Sequence, residues 1–434
     1  MLKIVETFSG IGSQVQALKN IGAEIEVKAT IEWDINAVYA YDIIHNGAQD
    51  LSKFPQYSKE EAIKLLLDCG VSTDGKEPAN AAMLRTVSVE ALRRFLYAID
   101  RTKNLVNITK VHAVDLPSQI DLLTYSFPCQ DLSICGSWHG NMTGIDKDAK
   151  NRSGMLWEIE RILKEFVDEG KTLPQFLLME NVSNILSKRH NSNFLEWKKT
   201  LSDMGYINQV YTLNAINFGV PQQRIRTFML SVHCKDDSKA KILEDYFAKN
   251  NLENACPAEL VPLLDFLRTD YNNKVYKEEA EHSNPFFTDS RKRIFAENDL
   301  LFDGQKTLKD SIKTITTKQD RNPNSGLISY KSDTDNKSPY RNLTPRECFL
   351  LMGFDEESFN RLMANNIQTK KGQFIFSREK TIKLAGNSIV VNVLESIFRQ
   401  VEYIRREILK PNRTQLCSNT FVEAQCAHLS VAKV

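Results

Sequence analysis

The sequence predicts an α/β fold with a mainly parallel sheet, followed by a smaller and less regular domain. Through residues 1–233, apolar runs of strand length alternate with amphipathic stretches of helical length. Several of these runs end in polar or turn-forming residues, and open α/β sheets bind ligands at the carboxyl ends of their strands. From about Cys234 the chain becomes polar and rich in Asn, Asp and Lys. This change of character indicates a second domain.

Composition excludes several classes of protein. The 434 residues carry 56 Lys and Arg against 55 Asp and Glu, a net charge of +1, which argues against a uniformly basic nucleic-acid binder. The eight cysteines include no CxxC pair, so we expect free thiols, no metal site and a reducing cytoplasmic setting. No apolar stretch approaches the ~18 residues of a membrane span, and Met1 is followed directly by a strand pattern rather than a signal peptide.

The first βα unit has the pattern of a nucleotide-binding unit. Leu2–Phe8 is a predicted strand, Ser9–Ser13 a glycine-containing loop, and Gln14–Asn20 a helix. With only GxG and no third glycine, a purely structural turn explains the loop equally well. A second strand, Ile25–Ile31, leads into Glu32 and Trp33, where such folds place an acid on ribose hydroxyls.

Residues 46–104 interrupt this rhythm with two predicted helices, Lys59–Cys69 and Val87–Asp100, so we interpret them as a helical insertion of unknown purpose. A third strand is predicted over Val106–Val114. It ends at Asp115, which could accept a hydrogen bond from an adenine amino group or cap a helix.

The fourth predicted strand, Ile120–Tyr125, leads into Pro128 and Cys129. A thiol at the carboxyl end of a parallel strand is well placed for a nucleophile, although a lone cysteine is more often a small buried apolar residue. The polar, glycine-bearing stretch 136–154 is a candidate lid. The helix Met155–Val167 follows it.

A carboxylate and two arginines complete the candidate chemistry. The strand Gln175–Met179 ends at Glu180, which could pair with the nucleophile. Predicted strands Gln209–Leu213 and Thr227–His233 flank Arg224 and Arg226. Because residues two apart in a strand point to the same side, both arginines could bind one phosphate or pyrimidine carbonyl.

In the second domain, Arg291 and Arg293 form a basic cluster, and Thr344 is a predicted helix N-cap followed by proline. An apolar helix is predicted over Leu384–Ile404. We therefore predict a catalytic domain of residues 1–233 plus 384–409, a second domain of residues 234–383, and a peripheral tail of residues 410–434.

Taken together and in this order, the motifs resemble those of the DNA cytosine-5 methyltransferases of bacterial restriction–modification systems. The resemblance covers nearly the whole chain and rests on the following segments: Phe8–Gly12, Glu32–Trp33, Asp115, Pro128–Gln130, Glu180–Val182, Gln223–Arg226, Leu343–Cys348 and Gly386–Ser388. The family usually has an acid between the two arginines, where this chain has Ile225. Any role of that acid is therefore lost.

The resemblance implies a Rossmann-like S-adenosylmethionine-dependent methyltransferase domain with a target-recognition domain that reads double-stranded DNA. It implies catalytic roles for Cys129, Glu180, Arg224 and Arg226. It implies cofactor contacts at Phe8, Ser9, Gly10, Ile11, Gly12, Glu32, Trp33, Asp115, Leu116, Pro128, Leu156, Asn387, Ser388 and Ile389. DNA contacts are expected at Gln130, Ser133, Arg224, Arg226, Arg291, Arg293, Thr314 and Arg341.

The expected reaction is methylation of C5 of a flipped-out cytosine through a covalent bond from Cys129 to C6. We expect a monomer whose functional counterpart is a cognate restriction endonuclease. An RNA cytosine-5 methyltransferase of the same fold, a catalytically silent DNA-binding relative and a dinucleotide oxidoreductase remain alternatives. The recognised DNA sequence does not follow from these motifs.

Overall fold

The computed structural model describes residues 1–128 and 152–410. At its centre lies a six-stranded sheet with the order β2-β1-β3-β4-β7-β5. The strands of this part of the chain are β1 (Leu2–Thr7), β2 (Ile25–Ile31), β3 (Leu122–Tyr125), β4 (Phe176–Val182), β5 (Tyr206–Asn214), the short β6 (Gln222–Gln223) and β7 (Ile225–His233). Strands β2, β1, β3 and β4 pair in parallel with one another, whereas β7 runs antiparallel to both β4 and β5. The predicted α/β class is confirmed.

Helices surround this sheet and continue into the second domain. They are α1 (Ser13–Asn20), α2 (Ile35–Asn46), α3 (Lys59–Cys69), α4 (Ala81–Arg85), α5 (Val89–Arg101), α6 (Leu156–Asp168), α7 (Asn191–Asp203), α8 (Asp237–Lys249), α9 (Lys274–His282), α10 (Asp289–Ala296), α11 (Pro345–Leu350), α12 (Glu356–Ala364), α13 (Arg378–Asn387) and α14 (Val391–Tyr403). None of these described helices is long and apolar enough to cross a membrane.

The hydrophobic core has two parts, one on each face of the sheet. Ile4 of β1 and Leu122 of β3 belong to one cluster of buried side chains. Their neighbours Val5 and Leu123 belong to the other. Successive side chains of a strand point to opposite faces, so strands buried on both faces must be apolar throughout. This is why the strands could be recognised as continuous apolar runs.

The helical insertion packs on α2 through α5, and α3 packs on α5. Helix α3 begins with a reciprocal capping pair, in which Ser58 accepts from the amide of Glu61 and the Glu61 carboxylate accepts from the amide of Ser58. Its last residue is followed by Gly70 with a φ of 79°. Such local signals explain why the predicted bounds of α3 are confirmed.

Two predicted elements are wrong. The strand Val106–Val114 does not form, because Val106 has a φ of 61° and the Asn107 side chain accepts from the amide of Thr109 at 3.1 Å. Two short 3-10 turns occupy the segment instead. The single helix Leu384–Ile404 is in fact α13 and α14, separated at Ser388, whose backbone is extended with a ψ of 161°.

The second domain contains only short strands, β8 (Leu300–Phe302), β9 (Ile312–Lys313), β10 (Leu327–Ser329), β11 (Tyr340–Asn342), β12 (Gln368–Lys370) and β13 (Gln373–Phe374). Strand β9 pairs in parallel with β6, which directly precedes Arg224. Helix α11 begins at the predicted N-cap Thr344, which forms a capping box with Glu347. Helix α8 packs on β5 of the central sheet. The domain boundaries near residues 234 and 383 stay predictions.

Candidate active site

The carboxyl ends of the parallel strands open into one cavity, which holds about 1360 Å³ of space free of protein atoms, including open solvent. Phe8, Glu32 and Ser126 directly follow β1, β2 and β3, and Glu180 lies near the end of β4. A parallel sheet brings such strand ends to one edge. The cavity therefore gathers residues that lie far apart in sequence.

The loop after β1 is shaped by three positive φ angles, at Phe8, Gly10 and Gly12. Phe8, Gly10 and Ile11 line the cavity, and a Cβ on Gly10 would meet no atom within 4 Å. A Cβ on Gly12 would lie 2.2 Å from Nε2 of His45, so only glycine fits there. Ser9 is buried. Gly12 and Ser9 thus support the loop, whereas the other three predicted residues face the cavity.

Glu32 and Trp33 both line the cavity, as expected for a ligand-binding strand end. The Glu32 carboxylate accepts from the amides of Gly10 at 3.1 Å and Asp34 at 2.8 Å. Burial, followed by the nearby Asp34 charge, raises the pKa of Glu32 to about 7. Each Glu32 carboxylate oxygen accepts one of these hydrogen bonds and can accept another from a ligand in the cavity. Ribose hydroxyls are suitable donors.

The predicted contacts at Asp115 and Leu116 are wrong. Asp115 is exposed, and its carboxylate accepts from the amide of its own turn residue His112 at 2.9 Å. Leu116 is buried in the core. Within the described chain, the cavity wall next to Trp33 is formed by Val106, Asn107 and Ile108 instead. The signal that could have identified them is Asn107 directly after an apolar pair, an Asx-turn pattern that ends a strand early.

The Glu180 side chain on β4 forms an ion pair with Arg226 of the neighbouring strand β7, with 3.3 Å between Oε1 and the guanidinium Nε. Burial raises the pKa of Glu180 above its ordinary value, and the charges of Arg226 and Arg224 offset only part of that increase. A carboxyl with a raised pKa keeps its proton to a higher pH than an ordinary glutamate and can give it to a ligand atom. The site therefore has a plausible general acid.

The segment that leads to the predicted nucleophile runs beside this acid. Tyr125 of β3 is in register with Met179 of β4, and the Asn181 side chain donates to the carbonyl of Phe127 at 3.1 Å. Ser126, Phe127 and Pro128 line the cavity. The next residue, Cys129, lies outside the described residues, as do Gln130, Ser133 and nearly all of the predicted lid 136–154.

Arg224 is buried and does not share the surroundings of Arg226. Its guanidinium donates to three backbone carbonyls: Ile315 at 3.0 Å, Gly386 at 3.1 Å and Ser388 at 2.7 Å. It also borders the cavity. Arg224 therefore joins the second domain to the segment between α13 and α14, while Arg226 is the arginine paired with Glu180.

The last residue of α13, Asn387, and the next residue, Ser388, line the cavity. The hydroxyls of Ser388 and Ser13 lie 2.5 Å apart, which ties this segment to the start of α1. Gly386 packs against the peptide of Thr316 and Thr317, and a Cβ there would lie 2.7 Å from its atoms.

Two further predicted contacts need correction. Ile389 is buried next to Ser13 and is not among the cavity residues of the described chain. Leu156 is fully buried in the core, and its neighbour Met155 lines the cavity instead. In both cases the residue directly before the predicted one lines the cavity, namely Ser388 and Met155. The direction of the side chain could not be predicted.

Among the predicted DNA contacts, Arg341 is wrong. It is fully buried, and its guanidinium donates to both carboxylate oxygens of Glu347 at 2.8 Å and to the hydroxyl of Tyr271 at 3.0 Å. A side chain paired in this way is part of the core and is not available to DNA.

The other three predicted DNA contacts of the second domain lie at or near the surface. Arg293 is exposed, and Arg291 is half-buried with its guanidinium donating to the carbonyl of Arg321 at 2.7 Å. Thr314 is half-buried and donates to the carbonyl of Gln223 at 2.7 Å. Their DNA contacts stay predictions.

Sequence reasoning did not predict that the helical insertion reaches the cavity. Asp74, Gly75 and Lys76, in the polar segment between α3 and α4, line its outer side, as does Lys383 of α13. More than 300 residues separate the two segments, counted from positions 74 and 383. No local pattern connects them.

Comparisons with known proteins agree with this architecture. A profile described as C-5 cytosine-specific DNA methylase matches residues 90–403. The orphan methyltransferase M.SssI of Spiroplasma monobiae is 32% identical over 410 residues, covering 92% of this chain and 97% of that protein. The type II methyltransferase M2.ScrFI of Lactococcus lactis subsp. cremoris is 30% identical, covering 92% and 99%.

Among solved structures, the fold is similar to that of the S. pombe Dnmt2 methyltransferase. The TM-score is 0.57 over 94% of this chain and 100% of that chain. Sequence identity is 17%, so this likeness concerns the fold alone.

Proposed function

Because this chain belongs to the C-5 cytosine-specific DNA methylase family and is a DNA methyltransferase, we propose that it methylates cytosine through a covalent intermediate at Cys129. In this proposal the methyl group of S-adenosylmethionine is transferred to C5 of a cytosine flipped out of a specific double-stranded DNA sequence. One observation carries the proposal. The Glu180 carboxyl, paired with Arg226, lies in the same cavity as the segment Ser126–Pro128, which directly precedes Cys129 in the sequence.

The donor end of the cavity suits an adenosyl group. The Glu32 carboxyl faces it with a raised pKa and would accept from ribose hydroxyls. Trp33 and Ile108 offer apolar surface to an adenine ring, and Asn107 offers an amide. The open space beside Gly10 leaves room for the rest of the molecule. S-adenosylmethionine supplies, when bound, an electrophilic methyl group on its sulfonium.

The chain's own groups make C5 reactive. The Cys129 thiolate adds to C6, and the electron pair of the C5–C6 double bond gives C5 the character of an enamine carbon. Negative charge develops toward N3 and O2 of the ring. Protonated Glu180 donates to N3, and Arg226 stabilises the charge at O2. After C5 has been methylated, loss of its proton and departure of the Cys129 sulfur restore the aromatic ring.

Flipping the base costs a few kcal/mol, which requires a deep pocket and contacts to the DNA backbone. We propose that residues 234–383 read the major groove, where each base pair shows its own donor and acceptor pattern. Arg291 and Arg293 would contact phosphates. The enzyme would protect DNA alongside a cognate endonuclease.

The decisive experiment is trapping on duplex DNA that contains 5-fluorocytosine. Fluorine at C5 cannot leave as a proton would, so we expect a denaturation-resistant adduct that mass spectrometry maps to Cys129. Cys129→Ser should form no adduct and lose methylation while still binding the donor. Cys256→Ser, which changes an exposed thiol, is the matched control and should behave as wild type.

Retained turnover by Cys129→Ser would contradict the proposal. Tritiated methyl transfer to duplex DNA compared with tRNA tests the RNA alternative. We expect incorporation into duplex DNA only.

A further inference from the structure

We propose that the insertion segment Ser72–Pro78 forms the outer wall of the methyl-donor pocket, and that Lys383 holds this wall in place. The inference rests on the proposed function, because it takes S-adenosylmethionine as the ligand. It gives the helical insertion a role, namely to set how long the donor and its demethylated product stay bound.

The wall faces the donor end of the cavity. Asp74, Gly75 and Lys76 line the cavity together with Trp33 and Asp34. The acid Glu180 lies on a different strand, β4. A change in the wall should therefore alter donor binding more than it alters the chemical step.

The wall is joined to the end of β2 by backbone hydrogen bonds. The amide of Ser72 donates to the carbonyl of Trp33 at 2.7 Å, and the amide of Ile35 donates to the carbonyl of Ser72 at 2.9 Å. The Asn36 side chain donates to the carbonyl of Thr73 at 2.9 Å. The insertion is thus continuous with the strand end that carries Glu32 and Trp33.

Internal bonds make the wall a formed turn. The Asp74 carboxylate accepts from the amides of Lys76 at 2.8 Å and Glu77 at 3.2 Å. The hydroxyl of Ser72 donates to the carbonyl of Glu77 at 2.6 Å. Gly75 has a φ of 69°, and a Cβ there would lie 3.0 Å from the Asp34 carboxylate and 3.3 Å from the Lys383 ammonium. Glycine permits this close approach.

Lys383 connects three segments that all border the cavity. Its ammonium donates to the Asp34 carboxylate at 2.9 Å and to the carbonyl of Asp74 at 2.5 Å. It lies on α13, whose end carries Asn387 toward the cavity. The lysine therefore ties the wall both to the end of β2 and to the helix that completes the pocket.

Lys383→Met in the full-length chain tests the proposal, because it keeps the length of the side chain and removes its charge and donors. Kd values for S-adenosylmethionine and S-adenosylhomocysteine are measured by calorimetry. Dissociation rates come from stopped-flow tryptophan fluorescence, for which Trp33 is a reporter in the pocket. We expect dissociation to be 5- to 50-fold faster, with Kd raised in proportion, and the single-turnover rate at saturating donor to stay within about twofold.

Lys59→Met is the matched control. Lys59 lies on α3 of the same insertion and its ammonium donates to the carbonyl of Arg85 at 2.7 Å, but it does not line the cavity within the described chain. Its donor Kd and dissociation rates should stay within about twofold of wild type. A thermal melt of both variants separates a change in the wall from a general loss of stability.

Gly75→Ala provides a second test if Lys383→Met does not fold. A methyl group at position 75 pushes the turn away from Asp34 and should also speed dissociation. Unchanged rates in whichever of these variants folds would overturn the proposal. If the wild-type protein binds neither S-adenosylmethionine nor S-adenosylhomocysteine, the proposed function fails. Wild-type binding with unaltered rates in the variants refutes only the role of the wall.

Discussion

Buried charged groups have opposite surroundings in the two parts of the molecule. At the carboxyl edge of the sheet, burial raises the pKa of Glu6 and Glu32 to about 7, and that of Glu180 rises in the same direction. In the second domain, burial opposes the charge of Arg341. The attraction and hydrogen bonds of Glu347 outweigh this cost, so the pKa of Arg341 lies above its usual value.

This difference in compensation distinguishes charged groups that can act on a ligand from charged groups that only stabilise the fold. Glu32 and Glu180 both line the cavity, and burial without full compensation is typical of a carboxyl that meets a ligand or a proton there. Glu6 has the same raised pKa but does not line the cavity within the described chain. The groups of a bidentate ion pair in the core already bond each other and are not available to a ligand. Residue type alone does not distinguish the two, and for that reason the prediction for Arg341 failed.

The largest expected effect is on catalysis by Glu180→Gln. This change keeps shape and burial but removes the proton donor to N3, so single-turnover methylation of duplex DNA should fall by about 10²- to 10⁴-fold. Because the pKa of Glu180 is raised, the wild-type rate should decline only as the pH rises through that shifted value. The glutamine variant should lack this decline.

Glu160→Gln is the control, since Glu160 is a buried glutamate of α6 that does not line the cavity within the described chain. Its rate should stay within about twofold of wild type. A Glu180→Gln variant with normal turnover would remove the basis for treating the two kinds of buried charge differently.

The next largest effect is on stability. Arg341→Met leaves the buried Glu347 carboxylate without its partner and should lower the free energy of unfolding by about 3–5 kcal/mol, measured by urea denaturation. Arg293→Gln alters an exposed arginine of the same domain and should change stability by no more than about 0.5 kcal/mol. It should instead weaken DNA binding and reduce the salt slope of log Kd by about 1. The reverse pattern would make Arg341 a DNA contact after all.

The smallest expected effect is the pH dependence introduced by Glu6, which is buried and accepts from the Tyr41 hydroxyl at 2.5 Å. Burial raises its folded-state pKa from the ordinary glutamate value of 4.5 to about 7. Between these values the folded state binds the proton more tightly, so stability falls as the pH rises through this window. Glu6→Gln should flatten that slope and gain about 2 kcal/mol above neutral pH, measured by denaturant unfolding at several pH values.

Glu24→Gln, at an exposed position before β2, should keep the wild-type slope. If Glu6→Gln also keeps it, the buried carboxyl of β1 does not titrate in the folded state as its surroundings indicate.

Sequence reasoning succeeded where local pattern and sheet geometry coincide. Glu32 and Glu180 were expected at one edge of the sheet because each directly follows an apolar run, and a parallel sheet brings such positions together. Both residues line the cavity. Sequence reasoning failed at Val106, where a left-handed backbone ended the expected strand and moved the cavity contact from Asp115 to Asn107. It also could not anticipate Lys383 meeting Asp74, because that contact depends on tertiary packing alone.

The close packing of Gly386 on the peptide of Thr316 and Thr317 restricts how this enzyme could be re-engineered. A chimaera with a relative's recognition module, joined at residues 233 and 383, would cut α13 between Lys383 and Leu384. It would pair a foreign loop with the native Gly386 and the native Arg224, whose guanidinium holds the carbonyl of Ile315. Grafts should therefore exchange the loop 312–317 and the segment 384–388 as a single cassette.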